Sequence, residues 1–312
     1  MMHSRPAMME SLEAADVPHR SGFRIGGVCV GIVGLQSDDV ALIPSLEPFR
    51  DDTGVPDIDI RVEWKAELGL SRARQLFDSG CTWQLYEDPA GFQFDFHVAA
   101  FGDQPYKRLF IDRQFCRATL QMNEESFASG SRTLSPWEYP LDELLIMHRL
   151  TQEKAIELHG CGIVRAGGVG NLFVGHSGAG KSTTTRLWTE LENVEVLSDD
   201  RIIVRQDLSV SPSGLRMYGT PWHGEAHYAS SGSAPLTRIF ILEHGFGNVL
   251  TRLSPSLAVG ELFARSFVPF HRHEYVESAL SFLQELAAKV PVYRYAFEPD
   301  SRAVEAILHL HD

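Results

Sequence analysis

Apolar and polar residues alternate along "IDIRVEW", with Ile58, Ile60, Val62 and Trp64 on one side and Asp59, Arg61 and Glu63 on the other. A period of two sends the two sets to opposite faces of an extended chain, so the pattern predicts a half-buried strand. "TWQLYEDPAGFQFDFHV" predicts a hairpin. Trp83 and Leu85 precede a Glu-Asp-Pro-Ala-Gly turn, and Phe92, Phe94, Phe96 and Val98 alternate beyond it. Proline presets one turn dihedral and glycine admits positive φ, which gives that turn a mechanism. "KRLFIDRQFCRATLQM" supplies a further pair of strands. The first half therefore reads as β-rich, with its aromatics as core.

Residues 126–140, "SFASGSRTLSPWEYP", are rich in Ser, Gly and Pro and read as a linker. An apolar segment from Leu141 to Leu150 predicts a helix joining two halves. Beyond it the order becomes strand, glycine loop, helix, strand, which is an α/β pattern. Apolar residues at helical spacing predict one more helix, opening near "HRHE" (His271 to Glu274) and running to Val290. The expected organisation is a disordered leader over 1–20, a β-rich N-terminal domain over 21–140 and a catalytic α/β domain over 141–312.

Composition narrows the setting. At 312 residues and 44% apolar content, the chain suits a globular protein of one large or two ordinary domains. There is no run of eighteen apolar residues, so no membrane span is expected. The first residues lack an apolar segment before a small-residue cleavage site, so no secretion signal is read there. Cys29, Cys81, Cys116 and Cys161 are scattered, which fits a reducing cytoplasm. A net charge of −13 would repel a phosphate-rich duplex, so nucleic acid is a poor partner. Homo-oligomerisation is left open.

The candidate chemistry begins at "GHSGAGKST", Gly175 to Thr183, which fits the phosphate-loop pattern G-x-x-x-x-G-K-[ST]. "NLFVG" before it reads as a buried strand and "KSTTTRLWTEL" after it as a helix with Leu187, Trp188 and Leu191 on one face. Gly175, Gly178 and Gly180 let the backbone curl, so that N–H groups from Ser177, Ala179, Lys181 and Thr183 converge on phosphate oxygens. The helix dipole adds positive potential there. Lys181 would reach the β- and γ-phosphates, and the Ser182 hydroxyl would ligate Mg²⁺.

Downstream, "VEVLSDD" ends a strand in Asp199 and Asp200. A carboxylate at that place can organise Mg²⁺, and a second can accept a proton from an attacking hydroxyl. Adjacent strand residues face opposite ways, so both reach one site only where the strand ends. Upstream, "AIELHGCGIV" carries His159, sixteen residues before Gly175 on a strand expected beside the loop's own. An imidazole there can hydrogen-bond an acid and shift its pKa.

Taken in order, "LHGCGIV", "GHSGAGKST", "VLSDDRIIV", "GTPWHGE" and "VPVYRYAFEPD" resemble the HPr serine kinase family, a phosphoenolpyruvate-carboxykinase-like phosphate-loop fold. The resemblance is to its shorter, divergent bacterial branch and covers roughly residues 141–312. It implies ATP and Mg²⁺ as cofactors, Lys181 at the phosphates, and Ser182 and Asp200 as metal contacts. Asp199 and Asp200 would share base and metal duties beside His159. It further implies transfer to a serine or threonine hydroxyl of a peptide or protein. Family members carry a glutamate and an arginine before a downstream glycine turn, where this chain has Arg216 and Tyr218 before Gly219. A second metal contact and the reverse, dephosphorylating reaction are therefore not implied.

Other readings follow from the same residues. A small-metabolite acceptor would leave the β-rich half as scaffolding. A nucleotide switch without transfer would fit the loop alone, but the Asn-Lys-x-Asp and Leu-Ser-Gly-Gly signatures are absent. "GTPWHGEAH" offers His223, Glu225 and His227, yet Gly224 stands where a zinc protease needs glutamate, so a covering loop with Trp222 as an apolar lid is preferred. Arg265 and Arg272 are candidates to steady transition-state charge.

Overall fold

The computed structural model describes residues 17–80, 82–102, 104–128, 135–207 and 214–310. The first eight strands form one sheet. They are β1 (His19–Ile25), β2 (Val28–Gly34), β3 (Ile58–Lys65), β4 (Arg74–Asp78), β5 (Trp83–Asp88), β6 (Gly91–Phe96), β7 (Lys107–Asp112) and β8 (Arg117–Asn123). Their order is β1-β2-β3-β8-β7-β6-β5-β4, with β3 parallel to both neighbours and every other pair antiparallel. The alternation in "IDIRVEW" is realised in β3, where Ile58, Ile60 and Val62 are buried. The predicted hairpin is β5–β6, closing at Asp88 opposite Gly91.

A short helix, α1 (Glu124–Ala128), follows, and then α2 (Leu141–Leu150). Part of the expected linker, residues 129–134, lies outside the described residues, as do residues 1–16 of the expected leader. The rest of the linker is tied down. Trp137 is fully buried and its Nε1 donates to the Asp39 carbonyl at 3.0 Å. The buried Lys107 ammonium donates to the Pro136 carbonyl at 3.1 Å. Residues 126–128 belong to α1 and residues 135–140 are irregular backbone, but composition does not reveal that one large indole anchors the segment.

The second sheet contains β9 (Ala155–Arg165), β10 (Val169–Val174), β11 (Glu195–Ser198), β12 (Arg201–Gln206), β13 (Leu215–Tyr218), β14 (Ser233–His244), β15 (Val249–Arg252), β16 (Ser266–Phe267) and β17 (Val292–Phe297). The main path runs β10-β9-β12-β13-β14-β17-β15, with β11 and β16 also on β9 and a parallel β10–β14 pairing that closes a ring. Two long strands, β9 and β14, make this possible, because each pairs with different partners along its length.

Helices cover both faces. On one side α4 (Pro255–Phe263) and α5 (His273–Lys289) bury Leu262, Phe282, Leu283 and Leu286 against Leu172, Val174, Ile239 and Ile241. On the other, α3 (Lys181–Thr189) and α6 (Ser301–Leu308) bury Trp188, Val304 and Ile307 against Phe173, Phe240 and Tyr295. Successive residues of β10 and β14 thus feed opposite cores, which is why those strands read as continuous apolar runs. Leu191 remains exposed rather than completing the expected α3 face. The molecule is a mixed α/β protein in which strand outweighs helix. Among the described residues no helix is long and apolar enough to cross a membrane.

The core of the first sheet takes in residues from both sides of position 140. Leu141, Leu144, Leu145 and Leu150 of α2, with Ala155, Ile203 and Trp222, cluster with Phe23, Phe94, Phe115 and Trp137. Removing residues 1–140 strips the partners from this face of α2. Residues 141–312 alone are therefore expected to lack a cooperative thermal transition, measured by circular dichroism against the full chain. A sharp melt near the full-length value would show that the second sheet is self-sufficient.

Candidate active site

The glycine loop joins β10 to α3. Gly178 and Gly180 have φ of +80° and +104°, a region closed to most side chains. At Gly180 an added Cβ would also lie 2.5 Å from the Phe297 ring. Lys181 is buried, and its Nζ donates to the carbonyls of Gly175 (3.1 Å) and His176 (3.3 Å). His244, at the end of β14, donates from Nε2 to the Gly178 carbonyl at 2.7 Å. Ser177 and Gly178 stand exposed on the loop's crest, with Ala179, Gly180, Ser182 and Thr183 partly covered.

His159 lies on β9 beside the loop. Its carbonyl accepts from the Gly175 N–H at 3.1 Å and its own N–H donates to Arg265 at 2.8 Å. Gly160 follows because a Cβ there would come within 2.7 Å of the Phe173 carbonyl. The His-Gly pair is thus a close approach of two backbones.

The acidic pair divides its work. β11 ends at Ser198, whose Oγ accepts from the N–H groups of Asp200 (3.3 Å) and Arg201 (3.2 Å) and shapes the turn. Asp199 is buried, and its two oxygens accept from the N–H groups of Gly224 (2.9 Å) and Ala226 (2.8 Å). Asp200 points the other way. Its Oδ1 accepts from His159 Nε2 at 2.9 Å and lies 4.0 Å from Lys181 Nζ, while Oδ2 meets Arg201. Burial alone would raise the Asp200 pKa, but the His159 hydrogen bond and the Arg201 and Lys181 charges hold it below the usual carboxylate value. Burial pushes the Lys181 ammonium down, with Asp200 opposing. The Arg265 charge, more than burial, lowers His176.

The structure therefore brings His159, Lys181 and Asp200 together and sets Asp199 against the 224–226 loop. Four further residues had no role in the sequence reading. Arg201 donates from Nε to Glu143 on α2 at 3.0 Å, lies 3.5 Å from Glu157, and stacks 4.0 Å over the Phe267 ring. Phe267 in turn packs against the His159 ring at 6.0 Å. Arg201 was visible as the residue after the acids. Glu143 and Glu157 gave no local signal, since only tertiary packing places them.

Two expectations change. Trp222 is not a lid. It is buried in the first core, and its Nε1 donates to Asp142 Oδ2 at 2.8 Å, so the "PWHGE" loop is riveted to α2. Arg265 is not free, because Nη1 donates to the Glu261 carbonyl and carboxylate. The rings of His223 and His227 pack 4.6 Å apart, and among the described residues no three His, Cys, Asp or Glu side chains form a metal cage. Mg²⁺ does not require one, since it commonly takes one or two protein oxygens beside substrate phosphates. Ser182 and the ionised Asp200 fit that donor chemistry.

No protein-family model matches the chain, and no curated protein matches it.

The rivet carries a pH signature. Burial pushes the Asp142 carboxyl up to about 6, against the Trp222 hydrogen bond. A folded pKa above the unfolded value means the folded state holds the extra proton, so stability declines as pH rises from about 4 through about 6. The full penalty is on the order of 3 kcal/mol. Asp142→Asn keeps an acceptor for Trp222 and has no such decline. The variant is expected to match the wild type near pH 4 and to melt several degrees higher at pH 8, by calorimetry. Equal melting temperatures at both values would remove this account.

Proposed function

We propose that the chain is a Mg-ATP-dependent kinase of the HPr-kinase-like phosphate-loop type, phosphorylating a serine or threonine hydroxyl of a peptide or protein. One observation carries the reading: a single ionised carboxylate, Asp200, lies between His159 and the loop lysine. A glycine turn alone would explain a phosphate seat but not an acid held beside it.

In this reading the loop N–H groups and the start of α3 seat the ATP phosphates. Lys181, now occupied by loop carbonyls, turns to the β- and γ-phosphates. Ser182 supplies an oxygen and Asp200 the charge that would hold Mg²⁺, which neutralises charge on the transferring group. The acceptor oxygen bonds to the γ-phosphorus as the bond to the β–γ bridging oxygen breaks, and ADP leaves. The hydroxyl proton passes to Asp200. Phosphoryl transfer runs through a loose transition state, so a carboxylate of low basicity suffices, because its work is mainly orientation and late proton uptake. His159 fixes that carboxylate by donating from Nε2. Asp199 is a positioning residue that holds the 224–226 loop.

Incubation with Mg-ATP and candidate peptides should add one phosphoryl group to a serine or threonine, read by mass spectrometry. Asp200→Asn and Lys181→Ala are each expected to lower kcat by about 10²- to 10⁴-fold. Asp199→Asn should retain more activity and instead lose about 1–2 kcal/mol of stability. Transfer only to small hydroxyl compounds in the control set would move the acceptor class. Absence of transfer to every acceptor, with ATP still bound, would favour a switch.

A further inference from the structure

Two residues that are partners in register grip the glycine loop. His244 ends β14 and stands opposite Phe297, which ends β17. The His244 imidazole donates from Nε2 to the Gly178 carbonyl at 2.7 Å, and a Cβ on Gly180 would come within 2.5 Å of the Phe297 ring. Each partner thus touches one of the loop's two positive-φ glycines. Phe297 is buried in the α3 core, whereas His244 is exposed and lies outside that core. A carbonyl can only accept, so Nε2 of His244 carries the proton.

What the imidazole holds is one peptide plane. The Gly178 carbonyl and the Ala179 N–H belong to the same trans peptide and point opposite ways. The carbonyl goes to His244, and the N–H donates to the His176 carbonyl at 3.0 Å. That second bond closes a four-residue turn, His176 to Ala179, with Gly178 at φ +80° in the third place, where a type II turn needs glycine. Lys181 Nζ donates to the same His176 carbonyl at 3.3 Å. His244, the turn and the loop lysine are therefore one chain of hydrogen bonds. Among the described residues, the N–H groups of Ser177, Gly178 and Gly180 have no backbone acceptor, so they are donors left over for an anion. Glycine backbone has many alternatives within reach, and a peptide fixed beforehand loses less freedom on binding.

We propose that His244 is a positioning residue for the phosphate seat, presetting the Gly178–Ala179 peptide so that a polyphosphate meets a loop already shaped. Its place in the sheet fits that role. β10 lies between β9 and β14, so His244 and the His159–Asp200 pair flank the loop from opposite sides. His244 meets the loop through a carbonyl, and it acts on the phosphates through the loop's N–H groups, not by contact.

The proposal rests on the nucleotide-binding part of the kinase reading, and its test involves no phosphoryl transfer. Binding of Mg-ATP, and of inorganic tripolyphosphate with Mg²⁺, is measured by calorimetry on the full chain. His244→Ala is expected to weaken both ligands by the same factor, about three- to tenfold, the effect of one hydrogen bond. The melting temperature of the unliganded protein should not change, because the side chain is exposed. His244→Gln returns an N–H donor at similar reach and should restore both affinities, whereas His244→Phe should not. Equal affinities in wild type and His244→Ala, or no recovery in His244→Gln, would each overturn the proposal. A loss confined to ATP would also overturn it, by making His244 a nucleoside contact. Absence of binding of either ligand to the wild type would defeat the phosphate-seat reading itself. Binding as expected without transfer to any acceptor would leave the role of His244 standing and defeat the kinase reading alone.

Discussion

Two adjacent peptide groups on β9 hold the candidate site together. The His159 carbonyl takes the first N–H of the glycine loop, its N–H bonds Arg265 ahead of β16, and the Gly160 N–H bonds the Asp200 carbonyl at 3.0 Å. Loop, acid turn and β16 segment thus share one backbone junction. The side chain adds to it, because the imidazole that joins Asp200 projects from the same residue. Gly160 is what lets β10 come near enough, since any Cβ would meet the Phe173 carbonyl. A shift of β9 by one residue would face His159 away and break all three ties.

Around this junction the protein buries several charged side chains, Glu143, Glu157, Lys181 and Asp199 among them. Arg201 reaches from Asp200 to Glu143 and Glu157, bridging the acid turn to α2. Full burial and the neighbouring Glu143 push Glu157 well above the usual carboxylate value. Two buried glutamates crowd one guanidinium that Asp200 also engages, which is the physical cause of that rise. Asp142, one residue before Glu143, holds Trp222. A single turn of α2 therefore fixes both the guanidinium behind Asp200 and the loop that Asp199 grips. Among the described residues, the first sheet reaches the site through that helix, not by presenting residues to it.

Much of this was legible locally. The alternation of "IDIRVEW", the Pro-Ala-Gly hairpin and the strand-loop-helix around Lys181 are all patterns within one short stretch of chain. Each depends on backbone geometry that its own residues dictate. The linker was misjudged for the complementary reason. Ser, Gly and Pro report that a segment is irregular, while the burial of Trp137 depends on Asp39, far away in the chain. The Trp222 lid failed in the same way, because an indole beside a proline in a loop looks exposed until α2 supplies a partner.

The sequence by itself determined the glycine loop, the histidine strand and the acidic pair, because glycines at fixed offsets and an acid at a strand end constrain their own backbone. It could not divide Asp199 from Asp200. Adjacent residues differ only in which way they face, and that was decided by the Ser198 turn and by the 224–226 amides waiting on one side. Only the tertiary structure brought Glu143, Glu157 and Phe267 behind the site, and His148 beside His271. Those pairings join residues far apart in sequence through the packing of α2 between the two sheets, and no local pattern records them.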